Sequence, residues 1–338
     1  MELNNNCGPR ESLSLPKKIS SFLSDNFVWV LVVVVSFIAF LITPVFYSIN
    51  NLYNLLVMSS VLGILVLGET LVLMTGNFDN SLEITMMFSA MVAAWLMVDH
   101  TYASGWLLSP FLGISLMLIT GAVIGAINGI FVGYIGMQPF ITTFATSVVV
   151  AGIGILTTGG SILTPYPASY TVLGRALIGP LPLSGVFVIA LYLIFHVILK
   201  YTPLGRCFYV VGGNRDAAKS LGVDVRKTQL IAFILAGVLS AIGGWILSGR
   251  LNSASSQMST NQLLLAFGAA VIGGVRLGGG EAKISGMFGG VVLISSIYTL
   301  MNLAEVDVYF IRAMTGLVIL GAMLIDAIRS GYFLKARN

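Results

Sequence analysis

Charge is scarce in this sequence, and the scarcity excludes most soluble architectures. Only 9% of its 338 residues are Asp, Glu, Lys or Arg, against roughly 25% in soluble domains. Two cysteines are too few for the disulfide framework of a small secreted scaffold. Two histidines, with no His or Cys close to His196, leave no metal-ligand spacing and no nucleophile–base pair. No metal site and no catalytic residue is therefore expected. The phosphate-cradling pattern Gly-x-x-x-x-Gly-Lys-Ser/Thr is also missing. If this chain takes part in ATP-driven work, the energy must arrive through a partner.

Apolar residues take the place of charge: 57% of the chain is hydrophobic and the mean hydropathy is +0.96. Spanning helices need about 20 mostly apolar residues each. Ten apolar segments satisfy or approach this, near 27–47, 55–75, 81–98, 109–131, 139–158, 184–200, 229–250, 262–279, 284–303 and 308–328. The runs are continuous rather than alternating with period two, which selects helices over a barrel. The expected class is an all-α integral membrane protein of about ten spans, with no separate soluble domain. The Gly-rich segments 262–279 and 284–303 leave open whether one of them re-enters instead of crossing. The first segment is too long for a signal-peptide core and no small-residue cleavage site follows it.

Orientation follows from basic residues. With ten spans both termini share one side, and if that side is the cytosol, 14 of the 17 basic residues are cytosolic. They are Arg10, Lys17, Lys18, Lys200, Arg206, Arg215, Lys219, Arg226, Lys227, Arg276, Lys283, Arg329, Lys335 and Arg337. Arg175, Arg250 and Arg312 fall outside or at the outer boundary, with Glu305 and Asp307 in a short outer loop. Retention of Lys and Arg in short cytosolic loops is the orientation rule for helical membrane proteins. Residues 1–26 then form a cytosolic leader, 27–328 the membrane domain and 329–338 a cytosolic tail. Cys7 and Cys207 lie on the reducing side, so no disulfide is expected. The net charge of +4 reflects topology and not nucleic-acid binding.

One loop breaks the scarcity. In "GGNRDAAKSLGVDV", residues 212–225, Arg215, Asp216, Lys219 and Asp224 cluster between apolar runs, and Arg226 and Lys227 follow. The stretch reads as a short helix: Asn214 suits the N-cap, and Asp216 favours the dipole in the first turn. Ala217 and Ala218 propagate well, and Gly222 suits a left-handed stop. Gly212 and Gly213 read as a flexible entry. Ala217, Ala218 and Leu221 are expected on one side, facing a partner, with Arg215 and Lys219 on another. An Arg at 218 would then block docking. The plainer reading is a basic loop lying on anionic headgroups, and spacing alone does not decide between them.

Three motifs carry a resemblance. "GRCFYVVGGNRDAAKSLGVDVRKTQ" resembles the cytoplasmic loop of the ribose-type branch of bacterial ABC sugar-transporter permeases. "GAINGIFVGYIGMQPFITTFAT" is similar to that family's Gly-x-x-Asn-Gly … Pro-Phe-Ile-x-Thr segment. "VIGGVRLGGGEAKISGMFGG" resembles its Gly-Gly-x-x-x-Gly-Gly-Gly signature. The resemblance implies that Gly213, Asn214, Arg215, Asp216, Ala217, Ala218, Lys219, Ser220, Leu221 and Gly222 form a coupling helix that docks on a cytosolic ATPase subunit. It further implies a multi-pass protein of the bacterial inner membrane. Its partners would be an extracytoplasmic solute-binding protein and a second permease subunit. The chain itself would hold no cofactor, with ATP and Mg bound by the ATPase. The chain departs from the family in "TGNFDNSLE" (75–83), where Asp79 and Ser81 match while Asn77, Phe78 and Asn80 do not. Leu263 and Leu265 stand where the family has acidic residues. These changes raise the hypothesis of an unequal permease pair.

Candidate pathway residues come from polar groups in apolar surroundings. Glu69 lies inside the second segment, where an ionised carboxylate is costly by roughly 2.5–3.5 kcal/mol. It is either a group lining the solute route or a carboxyl satisfied by a neighbouring helix. Asn77, Asp79, Asn128, Phe140 and Thr142 complete the candidate path, with Gln138 and Thr143 as further neutral donors and acceptors. Asn128 sits among Gly121, Gly125, Gly129 and Gly133, a spacing of small residues that marks close helix packing. Pro139 suits the first turn of a helix, with Phe140 as packing or gate. His196, Asp326 and Arg312 read as boundary residues. Segments 2–5 and 7–10 have comparable plans and opposite directions, the inverted-repeat arrangement of transporters. The alternatives to an ATP-driven importer are a proton-coupled carrier using Glu69 or Asp79, and an intramembrane enzyme, for which no catalytic set is present.

Overall fold

Among the described residues three α-helices begin on a proline, because a first-turn residue needs no backbone donor: Pro110, Pro139 and Pro203 each follow an extended cap residue. A computed structural model describes residues 26–324 except 260, 308, 312, 318, 319, 322 and 323. The leader, the tail, Arg312 and Asp326 lie outside the described residues, as does Cys7. In chain order the helices are α1 (Phe27–Ile42), α2 (Ile49–Met74), α3 (Leu82–Met97), α4 (Pro110–Ile130) and α5 (Pro139–Thr158). Then come α6 (Ala168–Arg175), α7 (Leu183–Tyr201), α8 (Pro203–Gly213), α9 (Arg215–Ser220), α10 (Val225–Leu251), α11 (Gln262–Ile272) and α12 (Ile284–Leu303). A two-residue β-pair, Leu177–Ile178 with Leu181–Pro182, precedes α7. The chain is helical again at 309–311 and 313–317.

Among the described residues six helices are long and apolar enough to cross a membrane: α2, α4 with the π-turn that extends it to Ile135, α5, α7, α10 and α12. The chain is an all-α membrane protein. Two of the expected segments are shorter in the structure. The first ends as an α-helix at Ile42, where Pro44 starts a 3-10 turn. The eighth, expected over 262–279, stops at Ile272. Its 11 residues reach only about 16 Å, half of a hydrocarbon core of about 30 Å. The glycines that follow, Gly274, Gly279 and Gly280, have positive φ, so the chain turns where a helix would have continued.

The bundle is organised around α2 and α10. Every residue of α2 from Ser60 to Met74 is buried, and α10 packs on α2, α3, α4 and α6. The small-residue stripe of α4 explains its closest contact. A side chain at Gly121 would strike the carbonyl of Gly237, at Gly125 that of Phe233, and at Gly129 the backbone of Leu230. Two backbones that approach this closely gain dispersion and Cα–H···O interactions that lipid cannot supply. The expectation of packing for this stripe therefore holds. Asn128, embedded in it, is buried against a different neighbour, described below.

α2 and α10 are each followed by a break and a shorter helix. α2 is a long helix followed by a break at 75–81 and then by α3, which has 16 residues. α10 is a long helix followed by a break at 252–261 and then by the short α11. The end of α10 that carries Arg250 meets Asn54 near the start of α2, so the two long helices run in opposite directions. The first turns of α3 and α11 meet: the Leu263 amide donates to Glu83 Oε2 at 2.9 Å. A carboxylate there satisfies an orphan donor and opposes the positive end of the α11 dipole.

Candidate functional site

Local chemistry builds α9 as the sequence suggests. The Asn214 side chain accepts from the amides of Asp216 and Ala217 at 2.9 and 3.0 Å. Gly222 has φ +77°, and the Val223 amide returns to the Ala218 carbonyl at 3.0 Å. Lys219 and Asp216 form an exposed pair at 3.1 Å, which contributes little to stability in water. Of the residues from Gly213 to Gly222 only Ala218 is buried, and Leu221 is 73% exposed.

The orientation of α9 corrects three expectations. Ala218 does not face outward with Leu221; it packs with Val211 at the end of α8 and Val225 at the start of α10. An Arg at 218 would therefore disrupt this chain's own packing before it met any partner. Arg215 and Lys219 do not act together on one face, since Arg215 reaches inward. Gly212 and Gly213 are not a flexible entry but the last residues of α8, an 11-residue helix that the loop reading missed. Thr202 before Pro203 was its signal: the Thr202 hydroxyl accepts from the Gly205 amide. Gly212 is required because a Cβ there would run into the Met74 carbonyl and the Gly280 amide.

Inward from α9 lies the break after α2. Arg215 Nη2 donates to Asn77 Oδ1 at 3.0 Å, to the Gly76 carbonyl at 3.3 Å and to the Thr75 carbonyl at 3.5 Å. A guanidinium at this end satisfies carbonyls that the helix leaves orphaned and complements its negative pole. Asn77 Nδ2 donates to Thr75 Oγ1 at 2.8 Å. The loop from the third glycine-rich motif closes the junction, with the Gly280 amide donating to the Met74 carbonyl at 3.1 Å.

Deeper in, the break is held by polar side chains. Asp79 Oδ1 accepts from the Ser81 amide and hydroxyl at 2.8 and 2.6 Å. Asn128 Nδ2, from α4, donates to Ser81 Oγ at 2.8 Å. The Asn80 amide donates to Thr143 Oγ1, from α5, at 2.9 Å. The Asp79 amide is 3.5 Å from Glu69 Oε1. Thus the structure brings together Glu69, Asn77, Asp79 and Asn128, all of them buried. Thr142 is buried apart from them, bonded to the Gln138 carbonyl. Gln138 is exposed and caps α5 by accepting from the Ile141 amide at 2.7 Å. His196 lies on the exposed side of α7.

Phe140 is half exposed and belongs to an aromatic row. Phe78, in the break, lies 5.9 Å from Phe140 and 5.2 Å from Phe267 of α11 between ring centroids. Phe140 stacks on Phe144 at 6.4 Å. Sequence reasoning singled out Phe78 only as a departure from a family pattern, and it passed over Glu83 and Phe267. For Glu83 the signal was available, a carboxylate in the first turn of an otherwise apolar helix. For Phe267 none was, because an aromatic in an apolar helix looks like core. Among the described residues no group of three or more His, Cys, Asp or Glu is placed to hold a metal ion.

Comparisons with known proteins agree with the geometry. A family model described as branched-chain amino acid transport system / permease component matches residues 51–327. The chain is 34% identical over 316 residues to a ribose import permease of Bacillus subtilis (strain 168), covering 93% of this chain and 94% of that protein. It is 30% identical to the galactose/methyl galactoside import permease of Escherichia coli (strain K12), over 93% of this chain and 97% of the relative. The L-arabinose transport system permease of the same organism is 31% identical, over 92% and 94%. No solved structure matches. Membrane-length helices, an exposed capped helix beside a broken span, and these matches over nearly the whole chain lead to one family: the chain belongs to the permeases of ABC importers, in their ribose-type branch.

Proposed function

We propose that this permease subunit carries a pentose or hexose sugar into the cytosol, and that its ATPase subunit docks on the outward face of α9. The observation that carries the docking reading is the two-sidedness of α9. Its inner face is committed to Val211, Val225 and, through Arg215, the α2 break, while 213, 214, 216, 217 and 219–222 are exposed. Leu221 supplies an apolar anchor on that outer face, ringed by charges that set orientation; buried apolar anchors dominate docking energy and rim charges specificity. ATP hydrolysis is assigned to the partner, since the chain lacks the phosphate cradle of nucleotide-binding loops.

Retention of basic residues supports α9 and both termini on the cytosolic side. A binding protein would then deliver the sugar at the opposite end of the bundle, and a second permease subunit would complete the route. The row Phe78, Phe140, Phe144 and Phe267 offers apolar faces against which the C–H side of a sugar ring packs. Glu69, Asp79 and Asn128 are assigned to shaping the break rather than to solute contact, because each is buried.

Leu221→Asp tests the docking reading. It adds charge to an exposed position and leaves the internal packing of the loop untouched. Membrane insertion should be normal while co-purification of the ATPase subunit falls at least tenfold. Association at the native level would overturn the reading. Uptake of labelled D-ribose, D-galactose and L-arabinose into proteoliposomes identifies the solute class.

A further inference from the structure

We propose that Arg215 is the positioning residue through which movement of α9 reaches the interior of the bundle, by holding the break after α2. The inference rests on α9 being the docking helix and adds the route by which force leaves it. One guanidinium nitrogen contacts three acceptors on consecutive residues, the Thr75 and Gly76 carbonyls and Asn77 Oδ1. Behind it the packing is rigid. Gly212 admits the Met74 carbonyl and Gly280 at a distance that excludes any side chain, and Tyr209 of α8 donates to the Ala282 carbonyl at 3.1 Å. The α8–α9 corner therefore grips the end of α2 and the loop after α11 at once.

From Asn77 the connection branches. Within four residues, Asn80 binds Thr143 of α5, and Ser81, held by Asp79, binds Asn128 of α4. A displacement of α9 by its partner thus pulls on a segment bonded to two further helices. Packed elements with few alternative arrangements move as units rather than deform smoothly, so a contact at one guanidinium can shift several helix ends. Contiguity alone is not coupling, and the experiment has to measure the response of the break itself.

Hydrogen-exchange mass spectrometry on the full-length chain in nanodiscs supplies that measurement, since the amides of Thr75, Gly76, Asn77, Asp79, Asn80 and Ser81 are all bonded. Arg215→Ala and Asn77→Ala should each speed exchange across 75–81 at least tenfold. Asn77 is buried and out of a partner's reach, so it reports on the tether without touching the docking face. In the complex with the ATPase subunit, a non-hydrolysable ATP analogue should change exchange across 75–81 in the native chain and in neither variant. Co-purification of the ATPase should stay within twofold in Asn77→Ala, whose side chain lies off the docking face. Arg215→Lys, which keeps the cation, should recover part of the response. Unchanged exchange in both variants, or an ATP response that survives in them, would overturn the proposal. Loss of ATPase binding in Arg215→Ala but not Asn77→Ala would also overturn it, making Arg215 a docking contact. If Arg215→Ala fails to insert, Asn77→Ala decides alone. Should Leu221→Asp leave association intact, the docking reading fails, and exchange in the isolated chain still tests whether Arg215 holds the break.

Discussion

After α2 the chain breaks at 75–81, and after α10 it breaks at 252–261; the two breaks are secured by different chemistry. The first depends on a surface helix reaching inward, with one guanidinium and a backbone contact at Gly212 holding its outer end. The second is fastened by its own neighbours. Asn252 takes the left-handed conformation at φ +58°, accepts from the Tyr166 amide at 3.1 Å through its side chain, and accepts from Thr164 Oγ1 at 2.9 Å through its carbonyl. Leu163 and Ala254 exchange two backbone bonds. Above them Tyr166 stacks on Tyr170 at 4.1 Å, Tyr170 shares a 2.7 Å bond with Ser248, and Trp245 donates to the Tyr170 carbonyl.

This contrast locates where motion enters. At its outer end the first break is tied by one long side chain, which can release and re-form without disturbing the tight glycine contact behind it. Stacked, buried tyrosines with their hydroxyls bonded resist any shift, because an unpaired buried hydroxyl is costly. The first break is thus the adjustable one and the second its anchor, and substitutions at the two ends test the contrast.

The largest effect is expected from Gly212→Val. Overpacking against the Met74 backbone costs about 3 kcal/mol or more, and it should separate α8 from the first break. The readouts are folded yield in detergent and ATP-driven uptake, both falling sharply; a variant with native yield and uptake would show that the junction is loose. At the second break, Asn252→Ala removes a hydrogen bond and strains a left-handed residue, together costing about 2 kcal/mol. The thermal unfolding midpoint in detergent should drop, and Asn252→Gly should recover the conformational part. The smallest effect is expected from Tyr170→Phe, which leaves the stack and removes the hydroxyl bond to Ser248, costing about 1 kcal/mol. Its unfolding midpoint should fall slightly with uptake retained. Equal losses of uptake in Tyr170→Phe and Gly212→Val would erase the distinction between adjustable and anchored ends.

Much of the fold was legible because lipid imposes a simple code. The boundaries of α3, α4, α5, α7 and α12 follow the apolar runs closely, since each must satisfy its backbone internally. The caps of α9 were legible for a related reason: Asn214, Asp216 and Gly222 act on atoms within a few residues of themselves. The failures share a cause. The eighth segment is apolar enough to look like a span, but its glycines turn the chain at Gly274. Ala218 looks like an open docking surface until Val211 and Val225 cover it. Pro203 and α8 were hidden inside a loop that charge alone defined.

Composition and local pattern were enough to establish that this chain lives in a bilayer as a bundle of helices and that residues 214–222 form a capped helix. Each depends on solvent preference or on bonds spanning a few positions. Packing across the bundle was needed to settle which side of that helix turns inward and what it grasps. Arg215 and Asn77 lie 138 residues apart in sequence, and no local preference of either records the other. Their contact exists because α8, α10 and the end of α2 pack closely enough, through glycine, to bring a surface cation to a buried break.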